Sequence, residues 1–392
     1  MWLYCAQHVH ALRKLESSSS HQVSQEDGPN VEAQKLQVNA AMDRNPTLSS
    51  YFQEMTSRFQ RSCQAQPPLS RRLMVSGLTI GVHPSSAQMA AAMLPALAHL
   101  ESDRENAPSD ITLHLWEGTT RDAWPPRPPF TLNDYRRYGQ RAIAHDGTRS
   151  LMHAPTVDQL FAYDRATRTG YFWVKDASQL SIYERAAPVQ TLFHWALHDF
   201  GWQIVHAAAV GNVNGGVLLV GGTGAGKSTT ALSCLAQEGL HFLSDDKCLV
   251  RLAPEPQAFA LFSSAKIKGD MLARLPHLRP LLTGWDDSYK ANKGLLFLHP
   301  TYADQMIHTF HVKALLLPQV AHREAADIRT APAGDLFRQL GPSTVIWLPG
   351  AEAENYRFTA AMARRLPCYR IALARDPQVN RDAMRRLLEE LR

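Results

Sequence analysis

The sequence predicts an α/β fold, with a smaller mixed α/β N-terminal domain followed by a larger domain organised around one glycine-rich loop. Three observations carry that expectation. Strand-like and helix-like periodicities alternate along the chain from residue 71 onward. The run "VLLVGGTGAGKSTTAL", residues 217–232, sets a glycine-rich loop between a β-prone segment and a helical one. The chain has 392 residues, 45% of them hydrophobic, which is enough for a sizeable core.

Residues 1–70 are expected to be a mostly disordered extension. The stretch "ESSSSHQVSQEDGPNVEAQ" buries too little apolar surface to offset its ordering entropy. A short helix is expected around "LSSYFQEMTSRFQ". The N-terminal domain spans 71–187. In it "RLMVSGLTIGVH" reads as a hairpin, "SAQMAAAMLPALAHL" as a helix and "SDITLHLWE" as a strand. After the Pro-rich connector "AWPPRPPF", "LFAYDRATRTGYFWV" reads as two strands about a turn. "PVQTLFHWALHDFG" is a helix closed by Gly201.

The second domain, 188–392, contains the strand "WQIVHAAAV", a turn at "GNVNGG", the strand "GVLLV" and the helix "KSTTALSCLAQEG". "HFLSDDKCLV" is a strand interrupted by two acids. Apolar runs "VKALLLPQV" and "STVIWLP" follow, and a helix starts near Gln378.

Composition narrows the function. There are 41 Lys and Arg against 36 Asp and Glu, a formal charge of +5 with no basic block, so nucleic acid is not an expected partner. Cys5, Cys63, Cys234, Cys248 and Cys368 are an odd set without a CxxC pair, which fits a reducing compartment and neither a disulfide framework nor a zinc site. No apolar run has the length of a membrane span. The opening "MWLYCAQHVHALRKLE" puts its basic residues after a short apolar run, unlike a secretory signal. A cytoplasmic protein with no membrane partner is expected.

Gly221, Gly226, Lys227 and Ser228 satisfy G-x-x-x-x-G-K-[ST]. Glycines let consecutive amides curl inward as an anion nest, and the helix that follows directs its free N–H groups at the anion. Gly222, Thr223, Gly224, Ala225 and Thr229 complete the cradle. Lys227 would reach the outer phosphates, and the Ser228 hydroxyl could ligate magnesium. The ligands expected are therefore a nucleotide and Mg²⁺. His206 lies fifteen positions before Gly221, and Asp245 and Asp246 begin eighteen after Lys227. Two carboxylates in an otherwise apolar strand need a compensating cation. They could supply a metal ligand and a base, provided a bulge or strand end lets both reach one site.

Taken together, "VHAAAVGNVNGGVLLVGGTGAGKSTTALSCLAQEGLHFLSDDKCLV" resembles the HPr kinase/phosphorylase family. The resemblance implies a P-loop core similar to the HPr kinase C-terminal domain and to phosphoenolpyruvate carboxykinase. It further implies an ATP-dependent serine kinase. Carried over, Asp245 and Asp246 would divide magnesium binding from activation of the acceptor hydroxyl, with His206 assisting. The Arg-rich signature that serves the reverse reaction in that family is not reproduced. The corresponding stretch, "LFSSAKIKGDMLARLPHLRPLL", offers Lys266, Lys268, Arg274 and Arg279, and Lys266 is the candidate phosphate contact. The layout also resembles HPr-kinase-related proteins of bacterial peptide-modification systems, including those acting on lasso-peptide precursors. A peptide or small-protein acceptor is the expected partner, and self-association as a homo-oligomer follows from the same resemblance. Other readings of the loop are an ATPase or regulatory switch, a non-catalytic nucleotide binder, and a small-molecule kinase. No LSGGQ-like signature of transporter ATPases is present.

Overall fold

A computed structural model describes residues 47–65, 68–103, 108–118, 120–137, 141–235, 238–287, 292–347 and 350–391. It is a mixed α/β fold whose sheets combine parallel and antiparallel pairs. The expectation of disorder for residues 1–46 lies outside the described residues. Thr47–Arg392 form one compact unit.

The first sheet takes seven consecutive strands: β1 (Arg71–Val75), β2 (Leu78–Pro84), β3 (Ile111–Glu117), β4 (Ala142–His145), β5 (Arg149–Ala154), β6 (Gln159–Asp164) and β7 (Thr169–Val174). Their order is β1-β2-β3-β7-β6-β5-β4, with β3 parallel to both its neighbours and every other pair antiparallel. Alternation decides the faces. Phe161, Tyr163, Phe172 and Val174 enter one hydrophobic cluster, while Leu160, Ala162, Tyr171 and Trp173 enter another on the opposite face.

That second face is covered by helix α1 (Leu48–Ala65). Tyr51, Phe52, Met55 and Phe59 recur at helical spacing and are buried against Trp116, Leu151 and Trp173. The stretch read as a short helix in a mostly disordered extension is therefore an 18-residue element of the core. Its mean polarity hides four large apolar residues on a single stripe. Helix α2 (Ala87–Met93) is capped by the Ser86 side chain accepting from the Met89 amide. Pro95, without an amide hydrogen, ends it and starts a 3₁₀ turn over Pro95–Leu100.

The second sheet has nine strands. Its earlier members are β8 (Gln203–Val205), β9 (Ala208–Asn212), β10 (Gly215–Leu219), β11 (His241–Ser244), β12 (Cys248–Arg251) and β13 (Gln257–Phe259). A separate three-stranded antiparallel sheet, β14 (Ser264–Lys268), β15 (Leu282–Asp286) and β16 (Lys293–Phe297), follows in the chain. The second sheet is completed by β17 (Thr309–Arg323), β18 (Asp327–Thr330) and β19 (Cys368–Ala374). β17 first pairs antiparallel with β13, then parallel with β10 and β19, and so joins the two parts of the sheet.

"WQIVHAAAV" is not one strand. It breaks at His206, so that β8 pairs with β12 while β9 pairs with β10 and β11. The helix after the glycine loop is also shorter than its sequence pattern. It covers Lys227–Leu232 and then tightens, with Cys234 and Leu235 amides bonding three residues back. "STVIW" ends a helix, Ala333–Trp347, whereas the C-terminal helix Pro377–Glu390 starts close to where the sequence puts it.

In β10, Val217 and Leu219 face the layer containing Ala231, Leu232 and the C-terminal helix, while Leu218 and Val220 face Leu336, Leu340 and Met362. The expected boundary at 187/188 falls between two sheets that share a cluster. Leu113, Phe161 and Phe172 of the first pack in the same core as Trp202, Ile204, Leu249 and Phe259 of the second. Among the described residues no helix is long and apolar enough to cross a membrane.

Candidate functional site

β10, β17 and β19 run parallel, and residues at or just beyond their carboxyl ends line a cleft of about 310 Å³. Crevices at the carboxyl ends of parallel strands are where open α/β sheets take ligands. Gly222 to Thr230 form one wall, and His206, Asp246, Lys266, Lys268, Arg274, Lys293 and Arg375 are part of the rest.

The loop owes its path to backbone angles that side chains resist. Gly224 has φ +86° and Gly226 φ +101°, both left-handed. A Cβ at Gly226 would also lie 2.5 Å from Leu373 Cδ1, so a side chain there requires the Leu373 side chain to shift. Gly221 is buried beneath the cleft and does not line it. Its carbonyl instead accepts from Lys227 Nζ at 2.6 Å, and Gly222 O accepts from the same ammonium at 3.3 Å. Burial lowers the Lys227 pKa, and the Asp246 and Asp245 carboxylates partly oppose that. The lysine thus lies against the carbonyls of its own loop. Ser228 and Thr229, half-buried, line the cleft beside it.

Across the cleft stands Asp246. Oδ1 is 2.8 Å from His206 Nε2, and Oδ2 accepts from Lys247 Nζ at 3.0 Å and Lys266 Nζ at 3.3 Å. Burial alone would raise its pKa. Lys247, Lys266 and His206 outweigh that and hold the carboxyl well below its usual range. Lys266 shows the converse: burial works against its charge, and Asp246 and Asp245 more than restore it. Because a carboxylate only accepts, His206 Nε2 carries the hydrogen. Its Nδ1 is buried with no hydrogen-bond partner among the described residues. The backbone break at His206 is held by its amide donating to Thr344 Oγ1 at 3.3 Å.

Asp245 goes elsewhere. It is 3% exposed, does not line the cleft, and its Oδ2 accepts the Lys266 amide at 2.9 Å. Adjacent residues leaving β11 point in opposite directions, and the strand end at Ser244 does not bring both acids to one surface. Asp245 pins the backbone of β14, and that backbone carries Lys266 to Asp246. Arg279 lies outside the cleft lining.

The lining sets six cationic side chains (Lys227, Lys266, Lys268, Arg274, Lys293, Arg375) against two carboxylates, Asp246 and Asp270. Such a surface is complementary to a polyanion. No group of three His, Cys, Asp or Glu suited to a resident metal occurs among the described residues. Ser228 and Asp246 share the cleft, however, and Mg²⁺ is commonly held by one or two protein oxygens together with substrate phosphates. That donor set fits magnesium arriving with a nucleotide. Lys247, Lys293 and Arg375 were not singled out in the sequence. Lys247 could have been suspected from its place beside the acids, whereas Lys293 reaches the site only through the pairing of β16 with β14.

No protein-family model matches the chain, and no curated protein matches it. Among solved structures, the Hpr(Ser) kinase/phosphatase from Coxiella burnetii is similar over 48% of this chain and 99% of its own, at 13% identity and a TM-score of 0.26.

Proposed function

We propose that the protein is an ATP-dependent phosphotransferase that moves the γ-phosphate of Mg²⁺-bound ATP to a serine hydroxyl of a peptide or small protein. The observation that carries this reading is the placement of Asp246 opposite the glycine loop, clamped by His206, Lys247 and Lys266.

In this reading the loop amides and Lys227 hold the triphosphate, Lys227 exchanging its carbonyl partners for phosphate oxygens. Ser228 and Asp246 are the oxygens available to magnesium, which would neutralise charge on the transferring group. Lys266 reaches over from β14 to the same group. The acceptor oxygen forms its bond to Pγ as the bond between Pγ and the β,γ-bridging oxygen breaks, and ADP departs. The hydroxyl proton passes to Asp246. A carboxylate held ionised is a weak base, but phosphoryl transfer is loose, and the acceptor keeps its proton until late. Alignment is then the main service of Asp246, and His206 fixes its orientation.

The test is incubation with γ-labelled ATP, Mg²⁺ and serine-containing candidate peptides, followed by mass spectrometry. A phosphorylated serine is expected. Label recovered only as free phosphate would replace this reading with that of an ATPase.

A further inference from the structure

The three-stranded sheet turns an unusual face to the cleft. β14 and β16 pair antiparallel with Lys268 opposite Lys293 and Lys266 opposite Leu295, one step along. Like charges directly opposite on neighbouring strands are destabilising, and Lys266 lies on the diagonal to Lys293. Ala265 and Ile267 take the other face into the core, so all three ammonium groups share this side.

The partners do not balance. Lys266 is bound to Asp246, but among the described residues neither the Lys268 nor the Lys293 side chain makes an ion pair or a hydrogen bond on this face. Asp286 on β15 stands directly opposite Lys293 and also engages the Tyr183 hydroxyl. Burial and the neighbouring Lys266 press the Lys293 pKa down, and Asp245 and Asp246 only partly oppose that.

Next to this face is a fixed aromatic. Tyr183 is 42% exposed on the short helix Ile182–Ala186. Ile182 and Ala186 pack on Leu295, and Ser264 Oγ donates to the Ala186 carbonyl. The helix is thus tied to β14 and β16, and its tyrosine is presented rigidly, as interface aromatics commonly are.

Resting on the phosphotransferase reading, we infer that the acceptor is an acidic peptide segment, seated on Lys268, Lys293 and Tyr183 with its serine turned toward Asp246. Lys227 and Lys266 serve the triphosphate, and the Lys268–Lys293 pair supplies the attraction left over. Carboxylates flanking the serine relieve the cross-strand repulsion, while the tyrosine ring packs on the peptide backbone.

The test uses the full chain with Mg²⁺ and a non-hydrolysable ATP analogue. Short fluorescein-labelled peptides carry one serine flanked by glutamates, by glutamines or by lysines, and binding is read by anisotropy. The glutamate peptide is expected to bind about tenfold tighter than the glutamine one, in line with several partly screened ion pairs, and the lysine peptide weakest. Lys268→Glu should erase or reverse that order at saturating ATP analogue, and because Lys268 lines the same cleft the variant's analogue affinity is measured alongside. Tyr183→Ala should weaken all three peptides alike. Equal binding of the three peptides, an order untouched by Lys268→Glu, or equal competition by an oligonucleotide of matching charge would overturn the inference. The nucleotide reading is scored separately, by loss of analogue binding in Lys227→Ala.

Discussion

The surroundings of the seven-stranded sheet and the cleft beside the nine-stranded sheet treat polar groups in opposite ways. Around the first, His114 on β3, His99 on the turn Pro95–Leu100 and His194 on the helix Gln190–His198 are held as neutral rings, burial pushing them down to about 4, about 3 and about 3. At the cleft beside the second, where β14 of the three-stranded sheet meets the end of β11, burial fails to neutralise Asp246 and Lys266, because the acid and its two lysines are built against each other. Neutralising a group is the cheaper way to bury it. Keeping charges in place costs desolvation that an ion pair only partly offsets, so a retained cluster facing a cleft is a functional-site candidate in a way that buried neutral histidines are not.

Acidification should separate the two regions most strongly. Each of these histidines has a folded pKa below its unfolded value of about 6.5. The unfolded chain therefore takes protons first, and stability falls as pH drops below about 6.5, until the folded pKa values are reached. The cost approaches about 1.4 kcal/mol per pH unit for each histidine. Asp246 has the same sign in a lower pH window. Its contribution is present above the ordinary carboxylate pKa and is lost only as pH falls through its own depressed value. Hydrogen exchange at pH 7 and pH 5 should show β3 and the helix Gln190–His198 losing protection before β10 and β11. Simultaneous loss would mean the histidines do not dominate.

Phe59→Ala tests the first region alone. It empties a ring site against Trp116 and Tyr171 and should cost about 3–5 kcal/mol, read as a lowered denaturant midpoint. ATP-analogue affinity in the folded fraction should not change. Lys227→Ala tests the second region. Turnover should fall by about 10³-fold, as for the loss of one preorganised charge contact, with the thermal midpoint nearly constant. The two acids should then differ. Asp246→Asn is expected to lower turnover by about 10²-fold, with ATP affinity largely kept. Asp245→Asn, acting through the Lys266 amide, should lower it by about tenfold or less. Equal losses would show that both acids serve the reacting groups.

The same contrast explains what was legible in the chain. The glycine loop, His206 and Asp246 stand out by their local spacing, and they do line one cleft. Asp245 sits beside Asp246 in sequence, yet it does not line that cleft. Lys293 has no local signature, because it reaches the cleft through a ladder to residues some 25 positions earlier, Lys268 being its partner. In the first sheet, alternation revealed the hairpin at 71–84 and the pair β6–β7, but the parallel placement of β3 against β7 spans nearly sixty residues and leaves no local trace. Helix α1 was obscured by its solvent side. Read for the stripe Tyr51, Phe52, Met55, Phe59 rather than for mean polarity, it was visible.

The account turns on a triphosphate lying between the glycine loop and Asp246. A crystal structure of the protein with Mg²⁺ and a non-hydrolysable ATP analogue tests this most directly. The expected result has the β- and γ-phosphates in the amides of Gly222–Ser228, Lys227 Nζ moved from the Gly221 carbonyl to within about 3 Å of a phosphate oxygen, and Asp246 facing the γ-phosphate. A nucleotide bound with Lys227 still on Gly221, or with Asp246 remote from the terminal phosphate, would contradict it.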